Sequence, residues 1–168
     1  MSILSDASEN EDIFIADILS KNKIIAMVGA SKNWKRPSNF VMKYLQKHGF
    51  TVIPINPGNA GQFILNELCY ASLQEVPIKI DMVNIFRPSE FCASITKDAI
   101  NIGAKTVWMQ LGIKNEEAIN LGKEAKINVI YDKCPKMEHS RLSGALGLAG
   151  FNSRLISSKR PFVKNPPH

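Results

Sequence analysis

The chain has 168 residues, 45% hydrophobic and 21% charged, the balance of one globular domain long enough to bury a core without disulfide or metal staples. Its 21 Lys and Arg against 15 Asp and Glu give a net charge of +6, which favours anionic ligands, and no apolar stretch reaches the roughly 20 residues of a bilayer-spanning helix. The N-terminal "MSILSDASENEDIF" is acidic where a secretory leader is basic and then apolar, so the expectation is a cytoplasmic protein with no membrane partner.

In chain order, "ENEDIFIADILS" puts Ile13, Ile15, Ile18 and Leu19 on roughly one face and predicts a helix over about residues 8–20, with acids in its first turn. "KIIAMVGA" is a continuous apolar run closed by Gly29, the pattern of a strand buried on both faces of a parallel sheet. Pro37 opens a helix with Phe40, Val41, Tyr44 and Leu45 on one side, and Gly49 ends it. "FTVIPIN" is strand two, with Pro54 indicating a place near a sheet edge. Residues 62–79 read equally as a short strand or a helical turn. "KIDMVNIF" is the third strand, and "SEFCASITKDAINIG" a helix with Ser89 as N-cap and Gly103 at its close. "KTVWMQLG" is strand four, "NEEAINLGKEAK" a helix capped by Asn115, and "INVIYD" strand five. The basic tail, residues 151–168, is expected to lie partly extended on the body and then fray.

Strands alternating with helices predict right-handed βαβ units in a single domain over residues 1–168. The fold class is α/β, a doubly wound, Rossmann-like open parallel sheet of order 3-2-1-4-5 flanked by helices. That order places the ligand crevice beyond the carboxyl ends of strands one and four.

Charge is unevenly spread. Between Asp17 and Glu67 no acidic residue occurs, while Lys21, Lys23, Lys32, Lys35, Arg36, Lys43 and Lys47 do. Lys43 and Lys47 stand at helical spacing and solvate a face, but Lys32, Lys35 and Arg36 fall in the loop directly after strand one, near Trp34, a lid or packing residue. At that strand end Gly29 lets a backbone approach a phosphate, and the amides of Ala30 and Ser31 with the Ser31 hydroxyl can donate to it. The GxGxxG fingerprint and the acid about 20 residues on that an NAD site requires are both missing. A GxxxxGK[ST] loop is missing too, because Trp34 stands where its second glycine belongs.

Evidence for catalysis is thin. Cys69, Cys92 and Cys134 are odd in number and widely spaced, which fits buried thiols better than disulfides or zinc. Cys134, with His139 in a loop after strand five, supports a thiol reaction only if the two meet. His48 at a helix end and His168 at the last position offer no further set. The basic residues are not interleaved with aromatics as a nucleic-acid stacking surface requires, so no nucleic-acid partner is expected.

The succession "VGAS", "RPS", "VIPINP", "YASLQEVP", "DMVNIFRP", "GAKTVWMQLGIKNEEA", "VIYDKCPKMEH" and "ISSKRP", from about residue 22 to residue 161, resembles the single-domain CoA-binding proteins. These are small relatives of the N-terminal CoA-binding domain of the succinyl-CoA synthetase alpha subunit. The resemblance implies that Gly29, Ala30 and Ser31 hold the pyrophosphate of coenzyme A and that Asn56 and Pro57 lie by the adenosine. It further implies that Phe86, Arg87 and Pro88 line the path of adenine or pantetheine, with Gln110 to Gly112 as the far wall. Arg36 and Ser38 are candidates for further phosphate contacts, the 3'-phosphate included, since a guanidinium is a planar, always-charged donor. The synthetase domains carry a lysine shortly after the proline that follows strand two, where this chain has Asn59, so a 3'-phosphate requires a cation from Lys32, Lys35 or Arg36. The synthetase domain with the phosphorylated histidine is not expected to have a counterpart here. The expected function is therefore binding of CoA or acyl-CoA without catalysis, in a homo-oligomer or with an unidentified protein partner. The alternatives are an enzyme acting on a CoA thioester through Cys134 and His139, and a Rossmann-like NAD(P) sensor.

Overall fold

The computed structural model describes residues 2–148, with side chains over 8–144; the tail expected at 151–168, the "ISSKRP" motif and His168 lie outside the described residues. In chain order the elements begin α1 (Ser2–Lys21), β1 (Ile24–Val28), α2 (Pro37–Lys47), β2 (Thr51–Ile55), β3 (Phe63–Ile64) and β4 (Glu67–Leu68). They continue β5 (Met82–Ile85), α3 (Cys92–Asn101), β6 (Thr106–Met109), α4 (Glu116–Glu124), β7 (Asn128–Ile130) and α5 (Pro135–Leu148). Residues 22–134 form one compact unit, while α1 and α5 belong to another.

In the larger unit β2-β1-β5-β6-β7 make a wholly parallel sheet of five strands. Period-two alternation assigns its faces. Ala26 stands between Ile53 and Val83 across the ladder, and Val83 faces Val107; these join Ile85, Met109, Ala99 and Ala118 in the main core under α3 and α4. Met27, Asn84 and Trp108 are in register on the opposite face. Right-handed crossovers place α2 on that second face and α3 and α4 together on the first.

The α/β parallel architecture agrees with the sequence expectation, but the order 3-2-1-4-5 does not. Counting only the five strands of this sheet, the order is 2-1-3-4-5. Pro54, opposite Met27, has no N–H, so β2 cannot serve as a fully paired interior strand. Its outer edge is closed instead by Tyr70, whose N–H donates to Pro54 O (3.0 Å) and whose carbonyl accepts from Asn56 N–H (2.9 Å). β5, buried at all four positions, pairs on both sides and takes the centre. The switch in winding direction therefore falls between β1 and β5, not between the first and fourth strands.

Smaller expectations also resolve. Residues 62–79 form the β3–β4 hairpin and a 3-10 turn at Leu73–Glu75. Asn115 caps α4, its Oδ1 accepting from Ala118 N–H at 2.8 Å. Ser89 is not the N-cap of α3: it lies inside a 3-10 turn, Ser89–Phe91, and its hydroxyl donates to Lys114 O (2.6 Å). α1 starts at Ser2, so the acids expected in its first turn sit in its interior. His139 lies in α5, not in a loop; Pro135 opens that helix, and its sequence lacks the apolar period that would have announced it. In that second unit Arg141 spans to Asp12 through two hydrogen bonds (3.0 and 2.9 Å) while also meeting Glu138, and the two carboxylates push the guanidinium pKa up.

Gly122 lets α4 approach β7. A Cβ there would overlap Val129 Cγ2, a methyl on a stiff β-branched side chain. Gly122→Ala, although it raises helix propensity by about 1 kcal/mol, is expected to lower net stability, because overpacking costs about 1–3 kcal/mol. Urea denaturation followed by circular dichroism checks this; an unchanged or higher midpoint would show that α4 can move away at no cost.

Candidate ligand site at the carboxyl ends of the strands

Three strand exits converge where the winding direction changes. Gly29 leaves β1 with φ 91°, its N–H donating to Ile55 O (3.0 Å), while Phe86 N–H donates to Val28 O (2.8 Å). A Cβ on Gly29 would be 3.0 Å from Phe86 O and 3.1 Å from Phe86 C, so both the positive φ and the close approach require glycine.

At Ala30 and Ser31 the carbonyls are paired and the N–H groups are left open. Asn56 Nδ2 donates to Ala30 O (2.8 Å) and Asn39 Nδ2 to Ser31 O (2.9 Å). Asn33 N–H bonds Ser31 Oγ (3.1 Å) and Lys35 N–H bonds Asn33 Oδ1 (3.0 Å), two side-chain turns that fix the path toward α2. Among the described residues nothing accepts from the N–H groups of Ala30, Ser31 or Ser38. Ser38 is in the first turn of α2, where helix geometry leaves N–H groups unpaired, and the N-cap Arg36 supplies no side-chain bond to them. Gly29, Ala30, Ser31, Arg36, Ser38 and Asn56, with Pro37 and Phe86, line a cleft of about 350 Å³ that no carboxylate borders. A concave surface of backbone donors, a helix N-terminus and a guanidinium suits a phosphorylated anion.

A second cleft, of about 250 Å³, meets the first at Gly29 and Asn56. Pro57 and Arg87 line it, and the Arg87 guanidinium lies 4.2 Å over the Phe91 ring. Its other walls, Ser72, Leu73, Phe91, Ser94, Ile95 and Asp98, were missed by a reading confined to strand ends. The spacing 91, 94, 95, 98 is one helical stripe, which the sequence displays but which reads as ordinary core.

Pro88, Gln110 and Gly112 line neither cleft. Pro88 O accepts from Phe91 N–H (3.0 Å) at the start of the 3-10 turn, Gln110 is buried beside Asn84, and Gly112 N–H donates to Asp132 Oδ1 (2.7 Å). Cys69, Cys92 and Cys134 are all buried free thiols. Burial pushes the Cys69 and Cys92 thiols above their ordinary pKa, away from the reactive thiolate. The Nε2 of His139 is within 3.4 Å of Ser143 Oγ.

The chain resembles several known proteins. The uncharacterized protein YneT of Bacillus subtilis (strain 168) is 37% identical over 126 residues, spanning 75% of this chain and 92% of that protein. A hypothetical protein from Pyrococcus horikoshii OT3 of known structure superposes with a TM-score of 0.73 at 39% identity, covering 79% of this chain and 91% of the other. Acetate–CoA ligase [ADP-forming] II of Archaeoglobus fulgidus is 31% identical over 85 residues, 49% of this chain but 12% of the ligase, so the likeness concerns one part of a much larger enzyme. The profile described as "CoA binding domain" matches residues 23–140, which contain the whole sheet and both clefts. With more than half its length so matched, the chain belongs to the CoA-binding domain family.

Proposed function

We propose that this protein binds coenzyme A or an acyl-CoA as a binding module without catalysis of its own. The observation that carries the reading is the carboxylate-free cleft in which the unpaired amides of Ala30, Ser31 and Ser38 gather with Arg36. The pyrophosphate takes these donors. Arg36 shares the amide cleft and so serves the pyrophosphate in preference to the 3'-phosphate. Lys32 is the better cation for the latter: its Nζ sits 2.6 Å from Gln62 Oε1, and that loop also holds Asn59, where the synthetase lysine would be. A neutral amide orients the ammonium without cancelling its charge. Asn56 acts by holding Ala30 O, which keeps the amides turned outward from the loop.

Isothermal calorimetry with CoA and NAD tests the reading, with CoA expected to bind and NAD to bind weakly or not at all; equal or tighter binding of NAD would reverse it. Arg36→Ala is expected to weaken CoA and dephospho-CoA alike, by about tenfold, the worth of one charge-assisted contact. Lys32→Ala is expected to weaken CoA alone; equal losses on both ligands would remove the 3'-phosphate assignment.

A thioester enzyme working through Cys134 is disfavoured because that thiol is buried. Native protein at pH 8 is expected to react with a disulfide reagent only slowly, and to release all three thiols on unfolding. Rapid stoichiometric labelling of Cys134 in the native state would revive the enzyme reading.

A further inference from the structure

Asp98 sits in the second cleft with no assigned role. Phe91, Ser94, Ile95 and Asp98 face the cleft from α3 and the turn before it, and Ile55 and Leu73 form the opposing wall. Among the described residues the partly buried Asp98 carboxylate has no hydrogen bond and no ion pair, and Arg87 in the same cleft is stacked on Phe91 instead of paired with it. A carboxylate only accepts, and removing its water is costly unless a donor replaces it. The cleft opens from the amide cleft at Gly29 and Asn56, so a ligand whose diphosphate occupies the amides turns its neighbouring group into it.

The CoA reading puts the adenosine beside Asn56 and Pro57, which line this cleft, and we propose that Asp98 reads the exocyclic 6-amino group of its base. Asp98 is then a specificity-determining residue that selects adenine over a 6-oxo purine. The inference rests on the CoA reading above. A flat base offers two apolar faces to Ile55, Leu73 and Ile95, and an amino edge to the carboxylate. A pantetheine arm brings a carbonyl acceptor with each amide donor, so a single carboxylate selects nothing along it. A 6-oxo base turns an acceptor toward the carboxylate and leaves both groups unpaired.

The test is calorimetry of the wild type, Asp98→Asn and Asp98→Ala with three ligands: CoA, its hypoxanthine analogue carrying 6-oxo in place of 6-amino, and 4'-phosphopantetheine, which has no base. Melting curves establish that the variants fold. The wild type is expected to prefer CoA over the hypoxanthine analogue by about tenfold or more, the worth of one hydrogen bond to a charged group. Asp98→Asn, whose amide can donate to 6-oxo, narrows or inverts that preference; Asp98→Ala binds the two alike; phosphopantetheine affinity is unchanged in both. An undiminished preference for CoA in both variants, or a loss on phosphopantetheine equal to that on CoA, overturns the proposal. A wild type that fails to bind CoA overturns the CoA reading and this inference with it. Binding of CoA with a base preference indifferent to Asp98 removes only the inference.

Discussion

The site depends on how the peptide groups after β1 divide their hydrogen bonds. Two asparagine amides, from Asn56 and Asn39, occupy the carbonyls of Ala30 and Ser31, while no described residue accepts from the amides of those residues. Two adjacent residues with paired carbonyls and unpaired N–H groups give that end of the loop a partial positive charge, which the first turn of α2 and Arg36 reinforce. This bias requires the chain to pass Phe86 so closely that a Cβ at position 29 would lie 3.0 Å from its carbonyl oxygen, which only glycine permits. Glycine, two asparagines and a proline-started helix thus act together, and none of them is chemically reactive.

The sheet order then decides what the anion site adjoins. Because β2 stays at the edge and β5 takes the centre, the segment between them runs beside β2 as a short hairpin and a 3-10 turn, not as a full crossover helix. The space such a helix would fill is where Leu73 and Ser72 face Ile95 and Asp98, a mostly apolar cleft beside a polar one. Juxtaposed in this way, the clefts fit a ligand with a phosphorylated end and a flat or flexible apolar end. The family match over residues 23–140 takes in both clefts.

Much of this was legible in the sequence. Buried parallel strands declare themselves as apolar runs, and Gly29, Pro37, Gly49, Gly103 and Asn115 mark element ends through local backbone physics. Pro54 even signalled the edge position of β2, although the order first expected did not follow that signal through to the centre. What stayed hidden was set by distance along the chain. Tyr70 bonding to Pro54 and Asn56, and Ser89 turning to Lys114, are contacts that no local pattern encodes. Asp98 was hidden differently: its stripe is visible, but a helical face reads the same whether it meets core or cleft. Gln110 and Gly112, which the family pattern implied as a far wall, lie outside both clefts, Gln110 beside Asn84 and the Gly112 N–H on Asp132 Oδ1.

A crystal of the protein soaked with coenzyme A would reveal whether the loop after β1 receives the phosphates. The pyrophosphate is expected within hydrogen-bonding distance of the Ala30, Ser31 and Ser38 amides, with Arg36 beside it. Coenzyme A bound at another surface, or a ligand whose phosphates leave those amides untouched, would contradict it.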